Sequence, residues 1–228
     1  RVEETNMRYL PTILVLFGLF AFACAQIEEP CTDDGCPDFY KEGDDNIVIP
    51  EPTEDIRGSL EYEKYIVPVV TTTSKDEFVY SLNSCITHLY KDVPIEKQIP
   101  RELIIAQAAL ETGWGKSRFA NEANNLFGIR TWNKEEEYLL PIPWTKWPGW
   151  GVKVFKTKCD SVAYYIKILN EVFAYEEFRQ VRAAILNEGR YPTGLDLAPT
   201  LTKYASKENY TEIVALLIKK NIRGVYEL

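Results

Sequence analysis

Residues 100–117 have the sequence Pro-Arg-Glu-Leu-Ile-Ile-Ala-Gln-Ala-Ala-Leu-Glu-Thr-Gly-Trp-Gly-Lys-Ser, the most informative segment for the fold. The run from Leu103 to Leu110 is apolar almost all round, which is typical of a helix buried at the centre of a domain. Pro100 suits the first turn of such a helix, and Gly113 suits its end. The sequence therefore predicts a central helix that ends at a Gly-Trp-Gly turn.

Glu111 is the exception within this helix, because the previous acidic residue is Glu102. A carboxylate at a helix C-terminus meets the negative end of the helix dipole, and partial burial against Leu110 and Trp114 would also disfavour its ionisation. A carboxyl group that stays protonated near neutral pH can donate its proton to a leaving glycosidic oxygen. The alternative is that Glu111 marks the point where a buried helix reaches solvent.

Helical patterns continue on both sides of this segment. Ser74 to Glu77 forms a capping-box pattern, and Thr157 with Asp160 forms a second possible cap. Apolar residues then recur at helical spacing, and Gly189 ends one such run. The predicted flanking helices cover about 74–90, 157–172, 178–189, 196–204 and 208–220.

Residues 121–156 differ from the helical segments, because they are rich in aromatic residues, proline and glycine and contain short alternating runs. A sequence of this composition is typical of loops and small hairpins. The predicted fold class is therefore mainly α, with one small irregular β lobe. Trp144, Trp147 and Trp150 recur in this region, either to stack on sugar rings at the rim of a cleft or to pin the loop onto the domain.

The N-terminal region reads as an export signal. From Met7 and Arg8 the chain enters an apolar run, Ile13 to Ala25, that closes with small residues. This run is shorter than the roughly 20 residues of a membrane-spanning helix. We therefore expect a signal peptide over 7–25 and an exported protein of the periplasm or cell envelope. The alternatives are that the segment stays uncleaved at the membrane interface or that a lipid is attached at Cys24. The N-terminal segment is the only part of the chain expected to attach the protein to a membrane.

An acidic segment follows the predicted signal. Residues 28–63 hold thirteen acidic residues against Lys41 and Arg57, whereas the whole chain has a formal net charge of −8. An acidic, proline-containing sequence without apolar periodicity is typical of a disordered spacer. We expect this spacer at 26–73. The catalytic domain is then predicted at 74–228. It is mildly basic, which suits a polymer that carries carboxylates.

Five cysteines in an exported chain raise the question of disulfides. Cleavage after Ala25 would leave Cys31, Cys36, Cys85 and Cys159, for which three pairings are possible. Free buried thiols are an equal interpretation for Cys85 and Cys159.

Several kinds of chemistry are disfavoured by composition. His88 is the only histidine, so a histidine-rich zinc site or a histidine-activated nucleophile would have to include it. The sequence has no glycine-rich phosphate loop and no nucleic-acid-binding pattern. We therefore expect no metal, no cofactor and no nucleic-acid partner, and the chemistry falls to carboxylates.

Two motifs carry a family resemblance. Residues 106–117, with Ala-Gln-Ala-Ala-Leu-Glu-Thr-Gly-Trp-Gly, and residues 124–130, Asn-Asn-Leu-Phe-Gly-Ile-Arg, resemble the signature of the bacterial glucosaminidase domain, glycoside hydrolase family 73, Bax-like branch. The segments 154–157, 191–198 and 203–206 are similar to the same branch, so the resemblance covers about 75–222. It implies a lysozyme-like helical fold and hydrolysis of the β-1,4 bond after N-acetylglucosamine in the glycan strands of peptidoglycan.

The resemblance also implies roles for individual residues. Glu111 matches the proton donor, and Tyr204 matches a tyrosine that holds the attacking water or the acetamido group of the substrate. The residues that match the cleft wall are Trp114, Asn125 and Phe127, although buried aromatic residues often only pack a core.

The second carboxylate is Glu137, within the acidic run 135–137 and before Tyr138. A solvated turn is the alternative interpretation of this run, and the acetamido group of the substrate or a tyrosine-held water could replace the base. Two other functions stay open: a glycan-binding wall protein with little turnover, and a muramidase or lytic transglycosylase of the same fold.

Overall fold

The computed structural model of the protein describes residues 67–222. The predicted signal peptide, Cys24 and the two cysteines Cys31 and Cys36 lie outside the described residues, as does most of the predicted spacer. Residues 67–73 form no helix or strand, yet they pack on the domain. Val70 is buried, and the Thr71 amide donates a hydrogen bond to Ser81 Oγ at 2.9 Å.

Helices form most of the described chain, as the sequence predicted. Short 3₁₀ turns at Ile95–Lys97, Phe173–Tyr175 and Ala198–Thr200 connect them, and π-helical turns at Ile218–Ile222 follow the last. The α-helices in order are α1 (Lys75–Tyr90), α2 (Arg101–Thr112), α3 (Arg118–Glu122), α4 (Lys158–Glu171), α5 (Glu176–Asn187), α6 (Gly194–Leu197) and α7 (Tyr210–Leu217).

Helix α2 is the central helix, as predicted. It contacts α1, α6, α7 and the Ile218–Ile222 turns. Its residues from Leu103 to Ala109 are all buried, because several other elements pack against the helix. Pro100 lies at the N-cap, just before the first turn, and Gly113 ends the helix in the left-handed conformation at φ 58°.

The predicted caps define where the helices begin. Ser74 Oγ accepts a hydrogen bond from the Glu77 amide, and Thr157 and Asp160 form a reciprocal capping box. The predicted helix over 196–204 is wrong in its bounds. A capping box between Thr193 and Asp196 starts α6 at Gly194, and the helix gives way to a 3₁₀ turn around Pro199, which has no amide hydrogen to donate.

The β lobe is a three-stranded antiparallel sheet of β1 (Arg130–Thr131), β2 (Tyr138–Leu139) and β3 (Gly151–Lys153). β3 lies in the middle, where Val152 pairs with Arg130 on one side and Leu139 on the other. The mainly helical fold class with a small β lobe is therefore confirmed. The sequence did not predict α3, which Ser117 caps by accepting a hydrogen bond from the Ala120 amide.

A disulfide between Cys85 and Cys159 joins α1 to α4, with 5.8 Å between the two Cα atoms. Both residues are buried. This pairing resolves the choice that the sequence left open for these two cysteines in favour of a bond over free thiols.

Candidate active site

Glu111 lies on the last turn of α2, with its side chain partly exposed. Its Oε1 atom accepts a hydrogen bond from the Tyr210 hydroxyl at 2.9 Å. Its Oε2 atom faces Gly128, where an added Cβ would lie 4.0 Å from it. The carboxyl group therefore lies between the end of α2, the start of α7 and the loop that leads into β1.

The environment of Glu111 favours the protonated carboxyl group. Burial raises its pKa from the ordinary 4.5 to about 8, and the hydrogen bond from Tyr210 lowers it by a smaller amount. A group with this pKa is mostly protonated at neutral pH. It could therefore act as a general acid under physiological conditions, as the sequence suggested.

The turn that follows Glu111 has an unusual backbone. Gly113, Trp114 and Gly115 have φ values of 58°, 64° and 77°, and a bulky residue such as tryptophan rarely adopts a positive φ. The Thr112 hydroxyl holds the turn by accepting a hydrogen bond from the Gly115 amide at 2.7 Å. Strained backbone of this kind clusters at functional sites, and this turn begins two residues after the acid.

Trp114 is only partly buried. The Phe78 ring meets it edge-on at 6.4 Å between ring centres, and the Lys75 ammonium lies 4.9 Å from its ring centre. The ring is thus fixed on the α1 side of the turn. Its role in substrate binding stays a prediction.

Asn125 is fully buried, and its side chain bonds to the backbone around it. Nδ2 donates to the carbonyl groups of Ile129 and Lys153, and Oδ1 accepts from the amides of Phe127 and Ile129. These bonds fold the 125–129 loop and tie it to β3. Asn125 therefore shapes the loop that carries Gly128 to the acid.

Phe127 is also buried, at 1% exposure, and its ring stacks on Tyr165 with 4.1 Å between centres. A side chain so enclosed has almost no surface for a ligand to contact, so its role in the cleft wall stays a prediction. Of the three residues predicted for the wall, only Trp114 has exposed surface beside Glu111.

Tyr204 lies in the turn before α7 and is 5% exposed. Its hydroxyl donates to the Phe127 carbonyl at 3.2 Å, and its ring stacks on Tyr210 at 5.5 Å. Burial raises its pKa well above the ordinary value, so the hydroxyl keeps its proton. The structure places Tyr204 one layer behind Tyr210, which itself contacts the acid.

Sequence reasoning missed the contact of Tyr210 with Glu111 and the role of Gln107. Gln107 is fully buried, and its Nε2 atom donates to the Tyr210 hydroxyl oxygen at 2.9 Å. It lies four residues before Glu111, on the same face of α2. A polar residue inside the apolar run was the signal that could have indicated this partner.

Glu137 is exposed and immediately precedes β2. Its backbone carbonyl accepts a hydrogen bond from the Val154 amide at 3.1 Å, which fixes the backbone but not the carboxylate. The neighbouring Glu136 pairs with the Lys153 ammonium at 2.6 Å. Its role as a second catalytic group stays a prediction.

The tryptophans of the loop before β3 divide between the two roles considered. Trp147 packs edge-on against Tyr138 at 4.4 Å, and the Arg130 guanidinium lies 3.9 Å from the centre of the Trp150 ring. These two pin the loop. Trp144 is 49% exposed, so its ring is accessible to a ligand.

Residues 67–222 contain no cluster of three or more His, Cys, Asp or Glu side chains that could hold a metal ion. None of the helices described is both long and apolar enough to cross a membrane.

Residues 87–223 match the sequence model of a family described as mannosyl-glycoprotein endo-beta-N-acetylglucosaminidase. Over 128 residues the chain is 30% identical to protein Bax of Escherichia coli K12, which covers 55% of this chain and 44% of Bax. Over 126 residues it is 26% identical to the peptidoglycan hydrolase FlgJ of Salmonella typhimurium, which covers 54% of this chain and 40% of FlgJ. The chain thus spans less than half the length of these curated relatives.

Two solved structures are similar to the fold at low sequence identity. The catalytic domain of the autolysin Auto from Listeria monocytogenes is 23% identical, with a TM-score of 0.48, and the match covers 74% of this chain and 96% of that domain. The glycoside hydrolase domain of Salmonella typhimurium FlgJ is 20% identical, with a TM-score of 0.48, and the match covers 68% of this chain and 92% of that domain.

Proposed function

Because this chain belongs to the mannosyl-glycoprotein endo-beta-N-acetylglucosaminidase family, we propose that it is a glycoside hydrolase that cuts the peptidoglycan glycan. The bond cleaved is the β-1,4 bond after N-acetylglucosamine. Glu111 is its general acid and protonates the leaving oxygen. FlgJ, one of the relatives, is named a peptidoglycan hydrolase, which supports this substrate class.

The observation that carries the proposal is the state of Glu111. Its pKa of about 8 keeps the carboxyl group protonated at neutral pH, and its Oε2 atom faces the side-chain-free position of Gly128. A glycosidic oxygen needs a proton as the bond breaks, and a positioned acid of this pKa supplies one. The acid is held at a helix end beside a partly exposed tryptophan, which suits a sugar substrate.

Export to the periplasm or cell envelope is part of the proposal. The Cys85–Cys159 disulfide supports it, because disulfides persist in oxidising compartments and are rare in the cytosol. The substrate also lies outside the cytoplasmic membrane. Attachment through the N-terminal segment would keep the domain near the wall.

The test is digestion of purified peptidoglycan sacculi, followed by mass spectrometry of the fragments. We expect new reducing ends at N-acetylglucosamine, and their loss in Glu111→Gln, which keeps the shape of the side chain but removes its proton. Glu212→Gln, an exposed acid on α7, is the matched control and should keep full activity.

Other fragments would redirect the assignment. Reducing ends at N-acetylmuramic acid would indicate a muramidase, and anhydro-sugar ends a lytic transglycosylase. Binding to sacculi without cleavage at any pH, unchanged in Glu111→Gln, would contradict an enzymatic role and favour a glycan-binding protein.

A further inference from the structure

Three buried polar side chains, Tyr165, Gln107 and Tyr210, form a chain of hydrogen bonds behind Glu111, which we call the relay. The Tyr165 hydroxyl donates to Gln107 Oε1, and Gln107 Nε2 donates to the Tyr210 oxygen. The Tyr210 hydroxyl then donates to Glu111 Oε1. Each bond in the relay therefore points in the same direction, toward the acid.

This direction fixes the state of the two Glu111 oxygens. A tyrosine hydroxyl has one hydrogen to donate. Gln107 Nε2 can only donate, so the Tyr210 hydrogen is directed to the other partner of the hydroxyl, Glu111 Oε1. Oε1 is then an acceptor whether the carboxyl group is ionised or not, and the acidic proton resides on Oε2.

We propose that Gln107 and Tyr210 are positioning residues that place the acidic proton of Glu111 on Oε2, where the bound glycan needs it. The proposal rests on the proposed function of Glu111 as the acid. Oε2 faces Gly128, and among the described residues, apart from the chain neighbours of Gly128, the Glu111 carboxyl group is the one neighbour within 4 Å of a Cβ added there. The space beside the proton is therefore open, whereas the space beside Oε1 is filled by Tyr210.

The relay is held rigidly by the core. Tyr165 of α4 stacks on Phe127, and Tyr210 of α7 stacks on Tyr204. Gln107 projects from α2 itself, so the relay connects three helices around the acid. Burial raises the pKa of each relay tyrosine well above its ordinary value, which keeps both hydroxyl hydrogens in place across the neutral range. The titratable groups that act on Glu111 or on the relay are tyrosines: Tyr90, Tyr165, Tyr175, Tyr204 and Tyr210.

The first test measures the Glu111 carboxyl group directly, so it does not depend on substrate. The protein is labelled with ¹³C at glutamate Cδ, and Glu111→Gln assigns the Glu111 signal in an NMR titration. The Tyr210 hydrogen bond favours the carboxylate, so Tyr210→Phe should raise the titration midpoint. Tyr80→Phe removes the hydroxyl of an exposed tyrosine on α1 and should leave the midpoint unchanged.

Infrared spectroscopy of the same labelled protein locates the proton. With the proton on Oε2, the carbonyl oxygen is Oε1, which accepts from Tyr210. Loss of that bond in Tyr210→Phe should shift the protonated carbonyl stretch to higher frequency. An unshifted carbonyl stretch would mean that the proton lies on Oε1, and it would overturn the proposal.

The kinetic test uses sacculi. Tyr210→Phe and Gln107→Leu should each lower kcat about tenfold, the scale of one hydrogen bond to a charged or reacting group. The double variant should lose no more than Tyr210→Phe alone, because both changes break one relay. Losses that multiply would show independent effects and contradict the relay.

The double variant Gln107→Leu/Tyr165→Phe separates an effect on stability from an effect on the position of the proton. Gln107→Leu leaves the Tyr165 hydroxyl without its acceptor, and adding Tyr165→Phe removes that unpaired donor. Compared with Gln107→Leu alone, the double variant should recover thermal stability but not kcat. Recovery of both would mean that Gln107 has only a structural role. If wild-type protein fails to cleave sacculi, the proposed function fails, and the NMR and infrared results still decide the relay.

Discussion

At the scale of single residues, the environment of Glu111 combines burial with one hydrogen bond. Burial disfavours the carboxylate, the Tyr210 hydroxyl favours it, and burial is the larger effect. The same balance makes the folded protein sensitive to ionisation of this group. Both the catalytic role and the stability of the fold should therefore respond to pH through Glu111.

We expect the stability conferred by Glu111 to fall as pH rises. The pKa in the folded protein, about 8, exceeds the ordinary 4.5, so the neutral group contributes fully below about pH 4.5 and its contribution is lost as pH approaches 8. Glu111→Gln cannot ionise. Melting temperatures of the two proteins between pH 5 and pH 9 should converge or cross, and a pH-independent difference would contradict the raised pKa.

The rate of glycan cleavage should fall on the alkaline side with an apparent pKa near 8, because Glu111 must be protonated to act. This is measured as kcat/KM on sacculi across pH. An alkaline limb near the ordinary 4.5 would mean that the pKa of Glu111 is not raised in the folded protein, and it would contradict this prediction.

The second catalytic group is tested by Glu137→Gln. If Glu137 is the base, the rate should fall about 100-fold and an acidic limb should disappear. Glu135→Gln, an exposed neighbour in the same acidic run, is the control and should cleave normally. A loss of only a few-fold in Glu137→Gln would contradict the two-carboxylate scheme, and Tyr204→Phe should then be the more damaging change.

Gly128 is expected to be needed for space beside the acid. Gly128→Ala places a methyl group 4.0 Å from Glu111 Oε2 at a φ of 65°, which costs roughly 1 kcal/mol in an L-residue. Gly189→Ala is the matched control, since its φ is 74° and nothing lies within 4 Å of the added Cβ. Both variants should lose similar stability, but only Gly128→Ala should lose cleavage. Equal activity would show that the open space is not used.

At the scale of elements, the helices that carry the site are tied together covalently and by packing. The disulfide joins α1 to α4, and α4 supplies Tyr165 to the relay. Helix α2 carries Glu111 and Gln107, and the first residue of α7 is Tyr210. The short sheet and its loops supply only the Gly128 side of the acid.

Loss of the disulfide should weaken this arrangement. The bond closes a loop with a sequence separation of 74 residues, for which chain entropy gives about 4 kcal/mol of stabilisation. Chemical denaturation of Cys85→Ala/Cys159→Ala should show a loss of this order, with a reductant having no further effect on the variant. Equal stability of the two proteins would contradict a structural role for the bond.

At the scale of the whole molecule, a helical core presents the partly buried Glu111 at an edge shared with a small β lobe. The central position of α2 is what brings the acid, its relay partners and the Gly128 loop together, because α1, α6 and α7 all pack against it. A buried helix that ends at the surface provides low polarity for the carboxyl group and access for a substrate at once.

The features that depend on residues close together in the chain could be predicted from the sequence alone. The Thr157–Asp160 cap, the apolar run of α2 and the end of that helix at Gly113 all follow from residues within a few positions of one another. The raised pKa of Glu111 was also predicted, because burial, which is its larger cause, follows from the apolar run before the residue. The bounds of the helix at 194–197 were missed because the cap at Thr193 starts the helix earlier than predicted and the 3₁₀ turn that contains Pro199 follows it.

Contacts between residues far apart in the sequence could not be predicted without the tertiary structure. Tyr210 contacts Glu111 across 99 positions, and Gln107 contacts Tyr210 across 103. The family resemblance implied a catalytic role for Tyr204, which stays a prediction. The packing of α7 against α2 brings Tyr210 into contact with the acid, and Tyr204 stacks on Tyr210. The pairing of Cys85 with Cys159 was undecided for the same reason. Spacing along the chain governs hydrogen bonds within a turn or two of a helix, whereas contacts at long separation depend on how the helices pack.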